Sequence, residues 1–451
     1  MFYIIESNEQ LSQFKSYDLS DSFIEPILGS DNFHPAISEV IAWLIRPQRS
    51  RTPFFIPLAN HPESISVFTS EEILALFDEK ISKVYTSDKK RLLYHFPLDK
   101  PVVCLKTISW LQDGIVLDDK KWNTPAHNFF YSKYPLKGDI NKIIPICKWQ
   151  ERWQNYLTDN KKLFSSKMVK KGYFKFYNNT VPGVLQKLES NGICVDNEAF
   201  STHYPDVSLL TMEKNNKIHP SYNIHTSTGR PSSAFGGLNL GAMNKSDDSR
   251  SFIIPVNDTL IEFDYHSYHV KILANLIGYH FEEEDIHSHL GKIYFETDEL
   301  TEQQYSDSKN ITFKALYTES EEYKHIPFFK KVKAYRDQVW REFKEKGYLE
   351  AILSKRPIPG IESKTQILPY LLQSYETERN ILVMSEINQY LLNKVTRFIM
   401  YTYDSFLFDW DKEEGAEVLE DLQEILESDG FKASVKFGKN YSEMKQLTGK
   451  N

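Results

Sequence analysis

Two aspartates each follow an apolar segment, and the two segments are far apart in the chain. Asp264 follows residues 259–263, and Asp404 follows residues 397–403. The apolar runs predict buried strands, which would hold both carboxylates rigidly. Carboxylates are oxygen ligands that suit Mg²⁺, and two such ions about 3.5–4 Å apart can bind the attacking and leaving oxygens of a phosphoryl transfer. The pair therefore predicts a site for two Mg²⁺ ions and nucleotidyl-transfer chemistry.

A second set of residues lies between the two aspartates, in the segment 308–317. Lys309, Phe313 and Tyr317 are spaced at i, i+4 and i+8, so they share one face of the predicted helix. An ammonium group followed by two rings along one face suits a nucleotide, because the ammonium meets the triphosphate as a point charge. The alternative is an amphipathic helix that buries both rings, and spacing alone does not separate the two.

The elements that must position these residues form two patterns. Residues 1 to about 140 alternate short apolar strands, such as 2–5, 40–45 and 54–58, with helical stretches such as 70–83, which predicts an α/β region. Residues 148–176 are predicted to be helical and locally basic, and 181–194 form an amphipathic helix that ends at Asn191-Gly192. From Ile218 onward we predict an α+β region with a hairpin through Asp404, a helix over 413–428 and a final strand over 432–437.

Composition sets limits on the class of protein. The chain has 451 residues, of which 41% are hydrophobic, and this length allows two or three domains. Three scattered cysteines give no zinc pattern, and neither a signal peptide nor an apolar run of membrane-spanning length is expected, which indicates a cytoplasmic protein without a membrane partner. The net charge of −8 argues mildly against a nucleic-acid binder, although positive charge can be confined to one cleft.

Five motifs in order resemble family A DNA polymerases, the DNA polymerase I family. They are T-S-T-G-R-P-S-S (226–233), F-D-Y-H-S-Y-H-V-K-I-L-A-N-L-I-G (263–278), D-I-H (285–287), S-K-N-I-T-F-K-A-L-Y (308–317) and Y-D-S-F-L-F (403–408). Each motif alone is a weak signal, whereas five in the family's order are specific. The resemblance implies a template-directed polymerase that adds dNTPs to a primer 3′ end, with primer-template DNA as its partner.

The resemblance also implies roles for individual residues. Asp264, with the Tyr265 carbonyl beside it, and Asp404 would hold the two Mg²⁺ ions. The implied dNTP-binding residues are Tyr265, His269, His287, Lys309, Phe313 and Tyr317. The implied DNA-binding residues are Arg230 at the primer terminus or in the minor groove, Gln373 in the minor groove beside the primer, and Lys355 and Arg356 in a basic turn.

Several positions depart from the family pattern. His269 stands where the family usually has a Glu that excludes the ribose 2′-hydroxyl, so sugar discrimination is in question. Tyr305 replaces an Arg one turn before Lys309, and Lys314 and Thr318 replace the glycines beside Tyr317. Ser405 replaces an acidic residue that is not the principal metal ligand.

The resemblance predicts three regions. Residues 1–145 are expected to be an α/β, RNase H-like domain related to the family's 3′–5′ exonuclease, and inactive, because Phe23-Ile24-Glu25-Pro26 stands where the family needs Asp-x-Glu. Residues 146–200 are expected to form a helical connector and thumb remnant, and 201–451 the α+β palm and fingers. Only about twenty residues separate Asp196 from Ile218, so the thumb is expected to be reduced or absent.

Three functions are consistent with this sequence. The first is a compact polymerase of phage-type replication that is held on DNA by a protein partner or processivity factor. The second is a catalytically inactive polymerase-like scaffold, favoured by the altered fingers and the degenerate nuclease region. The third is an RNA polymerase or primase of the same palm class, which His269 suggests.

Overall fold

The computed structural model describes residues 3–29, 34–50, 52–114, 146–205, 213–234, 239–245, 247–283, 285–318 and 322–446. The chain divides into two compact units. The first comprises residues 1–192 with 206–221 and 235–237, and the second comprises 193–205, 222–234 and 238–451. Among the helices in these ranges, none is long and apolar enough to cross a bilayer.

The first unit is built on a six-stranded mixed sheet of order β1-β4-β3-β2-β5-β6. Its strands are β1 Tyr3–Ile4, β2 Asp21–Leu28, β3 Val40–Pro47, β4 Phe54–Pro57, β5 Lys83–Thr86 and β6 Val102–Cys104. Its early helices are α1 Asn8–Phe14, α2 Ser70–Lys80, α3 Lys89–Leu93 and α4 Leu105–Asp113. β2 and β3 pair antiparallel, whereas β5 runs parallel to both β2 and β6. Trp43, Phe77 and Val84 are fully buried in its core, as the apolar strands predict.

Glu25 lies in the middle of β2 and is fully buried. Its Oε1 accepts a hydrogen bond of 2.9 Å from the Thr86 hydroxyl and another from the Ser87 amide. The hydroxyl of the last residue of β5 and the amide of the residue after it therefore bind this carboxylate. A buried carboxylate that accepts main-chain and hydroxyl hydrogen bonds is a structural group.

The elements between residues 146 and 234 are short. They are α5 Ile146–Asp159, α6 Gly172–Lys175, α7 Val181–Asn191, β7 Ile193–Cys194, α8 Asn197–His203, β8 Glu213–Lys214, β9 Lys217–Ile218, β10 Ser221–Asn223 and β11 Ser232–Ala234. The prediction of the helix before Gly192 is confirmed: α7 ends at Asn191, and Gly192 has a positive φ of 66°.

The stretch predicted to be helical over 148–176 is divided into several shorter helices. α5 ends at Asp159, and two 3₁₀ turns, Lys161–Ser165 and Lys167–Lys170, follow before α6. The Asn160 side chain donates to the Tyr156 carbonyl at 3.0 Å, and the Ser166 hydroxyl accepts from the Met168 amide at 3.2 Å. Side chains that hydrogen-bond nearby main-chain groups in this way compete with the main-chain hydrogen bonds of a helix. They therefore favour breaks in this stretch, although lysine itself favours a helix.

The second unit is built on a five-stranded antiparallel sheet of order β15-β16-β12-β17-β18. Its strands are β12 Thr259–Tyr265, β13 Leu349–Glu350, β14 Pro357–Ile358, β15 Arg397–Thr402, β16 Ser405–Trp410, β17 Ala433–Gly438 and β18 Lys445–Gln446. Its remaining helices are α9 Tyr268–Leu276, α10 Ile286–Phe295, α11 Glu302–Tyr317, α12 Pro327–Lys346, α13 Ile367–Tyr390 and α14 Glu417–Glu427. The predicted strands at 259–263, 397–403 and 432–437 are thus present, whereas the last helix begins at Glu417 instead of Glu413.

Arg379, on α13, fixes the segment that carries β12. Its guanidinium is buried, and it donates to the Tyr265 hydroxyl at 2.6 Å and to the Leu426 carbonyl at 2.7 Å. It also forms an ion pair with Asp429. A buried cation with this set of acceptors holds α13, α14 and the end of β12 in one arrangement.

Candidate active site

The central strand of the second sheet brings the two aspartates together. β12 lies between β16 and β17, and its register pairs Asp264 with Ser405, the residue after Asp404. The Tyr265 amide donates a hydrogen bond of 2.9 Å to the Asp404 carbonyl. Both aspartates therefore lie at the same end of adjacent strands, as the sequence predicted from their position after apolar segments.

The electrostatics at Asp404 are those of crowded carboxylates. The residue is open to solvent at the turn, yet protein atoms surround its carboxyl closely. Burial in this cleft, then the negative charges of Asp264 and Glu376, raise the pKa of Asp404 to about 6. Like charges that are held together in this way favour the binding of a cation.

The two carboxylates of Asp264 and Asp404 suit a Mg²⁺ ion whose remaining ligands are water and substrate oxygens. In the described ranges no group of three or more His, Cys, Asp or Glu side chains is arranged to hold a metal ion. One carboxylate on a central strand and one in the adjacent hairpin turn are a protein contribution that Mg²⁺ can use when substrate phosphates supply further ligands. Asp264 and Asp404 are therefore the residues that would hold the ions.

A cation and a third carboxylate stand beside Asp264. Lys436 Nζ, on β17, lies 3.4 Å from Asp264 Oδ2 and 3.3 Å from Glu262 Oε2. Burial raises the pKa of Glu262, but Lys436 and the hydrogen bonds from Tyr441 and Ser405 outweigh burial and lower it. Glu262 is thus an ionised, buried carboxylate two residues before Asp264, and sequence reasoning missed it.

The turn that carries Asp404 has an unusual conformation. Thr402 pairs with Ser405, so Tyr403 and Asp404 form a two-residue hairpin turn, and Tyr403 has a φ of 67°. Glycine is the usual residue at such a position in a hairpin. Three contacts hold the tyrosine there: the Arg230 guanidinium lies 3.6 Å from its ring centroid, Asn380 Nδ2 donates to its carbonyl at 2.7 Å, and Gly241 lies against its ring.

Glu376 connects several residues that the sequence analysis singled out. It lies on α13, three residues after Gln373, and is almost fully buried. Its Oε2 lies 3.0 Å from Arg230 Nε and 3.4 Å from His269 Nε2. Its charge also acts on Asp404. The sequence analysis missed Glu376. Its one signal there was an acidic residue one helical turn after Gln373, for which the resemblance implies a role.

Helix α11 carries Lys309, Phe313 and Tyr317 along one face, as their spacing predicts. α11 begins at a capping box, in which the Thr301 hydroxyl and the Gln304 side chain bind each other's amides. The rings of Phe313 and Tyr317 stack with centroids 6.3 Å apart, and the His287 ring lies 5.8 Å from Phe313. The alternative in which the helix buries both rings does not describe Phe313, which is 38% exposed.

Lys309 and His287 differ in charge. Lys309 is exposed, and its ammonium lies 4.4 Å from the ring centroid of Tyr305, the residue one turn before it. Burial and then the nearby Lys309 lower the pKa of His287 to about 4. At neutral pH Lys309 therefore supplies positive charge, whereas His287 is a neutral imidazole.

His269 links the helix face to the carboxylates. It lies on α9, and its Nδ1 is 2.5 Å from the Tyr317 hydroxyl. Its other ring nitrogen faces Glu376. A continuous set of contacts thus runs from Tyr317 through His269 and Glu376 to the surroundings of Asp404.

The remaining predicted residues lie in different surroundings. Gln373 Oε1 accepts from the Thr228 hydroxyl at 3.3 Å, beside Arg230. The Tyr265 ring is buried under the sheet against Arg379, so its main chain alone is near the aspartates.

The two residues of the basic turn differ from each other. Lys355 is exposed after β13 with a φ of 63°, whereas Arg356 is buried and donates to the Ser227 carbonyl at 3.1 Å. Arg356 thus binds the loop that leads to Arg230, and DNA contact by either residue stays a prediction.

Comparison with known proteins gives a structural match. No family model matches the chain, and no curated protein matches it in sequence. Among solved structures it is similar to the POL domain of Pol1 from M. smegmatis in complex with DNA primer-template and dNTP, with a TM-score of 0.69. The match covers 98% of this chain and 100% of that chain at 13% sequence identity. The mixed α/β chain therefore has a fold like that of a DNA polymerase domain.

Proposed function

We propose that this chain is a template-directed DNA polymerase that adds dNTPs to a primer 3′ end, as its resemblance to family A polymerases implies. One observation carries the proposal. Asp264 at the end of β12 lies beside the hairpin turn that carries Asp404, and His269 with Glu376 connects them to the helix face of Tyr317. This arrangement occurs within a polymerase-like fold.

In the proposed reaction the primer 3′-hydroxyl attacks the α-phosphate of the dNTP, and pyrophosphate leaves. Two Mg²⁺ ions held by Asp264 and Asp404 would stabilise the attacking and leaving oxygens. Lys309 binds the triphosphate as a charge, and His287 binds it as a neutral hydrogen-bonding group. Most of the catalysis is then positioning and electrostatic stabilisation.

The residues around Glu376 orient the other parts of the substrates. Arg230, held between Glu376 and the Tyr403 ring, and Gln373 beside it contact the primer end. Phe313 packs on the sugar and base, Tyr317 lies against the templating position, and the Tyr317 hydroxyl fixes the His269 ring near the sugar. Lys355 and Arg356 contribute to the template path.

The proposed organisation keeps a degenerate exonuclease-like domain at 1–145, a connector at 146–200 and the palm and fingers at 201–451, with a reduced thumb. The surroundings of Glu25 support an inactive nuclease region. That carboxylate is buried and bound to Thr86 and Ser87, and the helix α3 that follows carries the buried Lys89 and Arg91. The domain would then serve phage-type replication as a docking surface for a partner protein.

Primer extension with purified full-length protein tests the proposal. We expect Mg²⁺-dependent extension with dNTPs, and its loss in Asp264→Ala and in Asp404→Ala while thermal unfolding still shows a folded protein. Glu424→Ala, an exposed acid on α14, is the control that keeps activity. Near wild-type extension by either aspartate variant would refute the two-metal assignment.

Parallel reactions with dNTPs and with NTPs separate the alternatives. If neither set of nucleotides is incorporated, the inactive scaffold is favoured. The altered fingers and the buried Glu25 support that alternative. Efficient extension with NTPs favours an RNA polymerase or primase.

A further inference from the structure

Lys436 forms an ion-pair bridge between two carboxylates on one face of β12. The register of β12 and β17 places Lys436 directly opposite Glu262. Its ammonium lies 3.3 Å from Glu262 Oε2 and 3.4 Å from Asp264 Oδ2, and 28% of its side chain is exposed. Glu262 and Asp264 are two residues apart, so both point to the same side of the strand.

Glu262 is fixed much more firmly than Asp264. Its side chain is 4% exposed, and its Oε1 accepts from the Ser405 hydroxyl at 2.8 Å and from the Tyr441 hydroxyl at 2.7 Å. Its other oxygen faces Lys436. Asp264 is more exposed, at 21%, and its carboxylate faces two ammonium groups, Lys436 and the more distant Lys245.

The proposed Mg²⁺ site and Lys436 therefore share the carboxylate of Asp264. A divalent ion that binds Asp264 must reduce the contact with Lys436, because two cations cannot share one carboxylate oxygen without repulsion. Glu262 offers the ammonium a second partner about the same distance away, so Lys436 can remain paired when Asp264 binds metal.

We propose that Lys436 and Glu262 are positioning residues that set the affinity of the Asp264 site for divalent cations, Lys436 by competing for Asp264 and Glu262 by drawing Lys436 away. The inference rests on the proposed function in one respect, because the metal site that it concerns is the proposed polymerase site at Asp264 and Asp404. Interactions around metal ligands typically change metal affinity by about 10–100-fold.

The two variants are expected to act in opposite directions. Lys436→Met removes the competing ammonium and leaves two uncompensated carboxylates, so Mn²⁺ binding tightens about tenfold. Glu262→Gln keeps the shape that Ser405 and Tyr441 bind but removes the charge, so Lys436 pairs with Asp264 alone and Mn²⁺ binding weakens about tenfold. A purely structural role predicts weaker binding in both.

Lys245→Met is the matched control. Lys245 Nζ lies 4.0 Å from Asp264 Oδ2, but its side chain is 66% exposed, so solvent and salt screen its charge. We expect its removal to change Mn²⁺ affinity by less than about threefold. Lys436→Gln is a second variant in case the methionine destabilises the sheet, and thermal unfolding confirms that each protein is folded.

The experiment is Mn²⁺ titration of the full chain by electron paramagnetic resonance, without DNA or nucleotide. Opposite shifts in Lys436→Met and Glu262→Gln, or Mn²⁺ binding that appears only in Lys436→Met, support the proposal. Shifts in the same direction, shifts no larger than that of Lys245→Met, or no binding in any variant overturn it. Opposite shifts in a protein that extends no primer would instead refute the polymerase and leave this inference standing.

Discussion

Removal of the His269 ring is expected to weaken the choice between deoxyribonucleotides and ribonucleotides. The ring is half-buried, with the Tyr317 hydroxyl 2.5 Å from one nitrogen and Glu376 Oε2 3.4 Å from the other. Both nitrogens thus face protein groups, so in this arrangement the imidazole acts on a nucleotide sugar by filling space. His269→Ala opens that space between a phenol and a carboxylate, either of which can hydrogen-bond a 2′-hydroxyl.

The magnitude follows from these contacts. A single steric or hydrogen-bonding contact of this kind discriminates by about 1–3 kcal/mol. At about 1.4 kcal/mol for each factor of ten, that corresponds to a loss of about 5- to 150-fold in the ratio of dNTP to NTP efficiency. Tyr317→Phe keeps the stacked ring but removes the hydroxyl that holds His269, so it should cause a smaller loss in the same direction.

The assay measures kcat/KM for matched dNTP and NTP pairs by single-nucleotide incorporation. His266→Ala is the control, because His266 is exposed and lies three residues before His269. A strong deoxy preference that His269→Ala leaves unchanged would show that another residue selects the sugar. A preference that increases would show that the imidazole binds the 2′-hydroxyl instead of blocking it.

Three further outcomes are expected. Burial, Asp264 and Glu376 raise the pKa of Asp404 to about 6, above the unfolded value near 4. Between these two values the unfolded chain loses the proton that the folded chain keeps, so the free energy of unfolding falls as pH rises from about 4 to about 6 and then stays at the lower level. In metal-free buffer Asp404→Asn should therefore raise Tm more at pH 8 than at pH 4.5, and an equal shift at both would contradict this. Because Glu25 is buried against Thr86 and Ser87, a mismatched primer with Mg²⁺ and no dNTP should stay intact, and degradation that persists through purification would argue for a working nuclease. With a net charge of −8 and the reduced thumb that we propose, the isolated chain should bind primer-template weakly, extend distributively and be inhibited by salt. Products hundreds of nucleotides long in the presence of a heparin trap at physiological salt would contradict the need for a partner.

The sequence predicted the strands and the helix face of this site well, because their signals are local. β12 and β15 are apolar runs that end at polar residues, and Lys309, Phe313 and Tyr317 follow the helical repeat. The breaks after Asp159 were not visible in the sequence because no glycine or proline marks them; instead, the side chains of Asn160 and Ser166 bind nearby main-chain groups there.

The residues that the sequence did not indicate act over long separations. Lys436 meets Glu262 across 174 residues, and the pairing depends on the register of β12 with β17, which no local pattern specifies. In the sequence, Glu376 is one polar residue on a long helix. Its role in the site depends on its contacts with Arg230 and His269, which lie far from it in the chain. A shift of one residue in the register of β12 would turn Glu262 to the opposite face of the sheet, away from Lys436.

The left-handed conformation of Tyr403 has a consequence for how this protein can change over generations. Glycine at 403 would adopt the same backbone without the cost of about 1–2 kcal/mol that an L side chain incurs there. It would also remove the ring on which the Arg230 guanidinium rests, 3.6 Å away. Laboratory selection for heat resistance alone should therefore enrich glycine at this codon, whereas selection for the proposed polymerase activity should retain the aromatic ring. Sequencing the two populations would show the conflict.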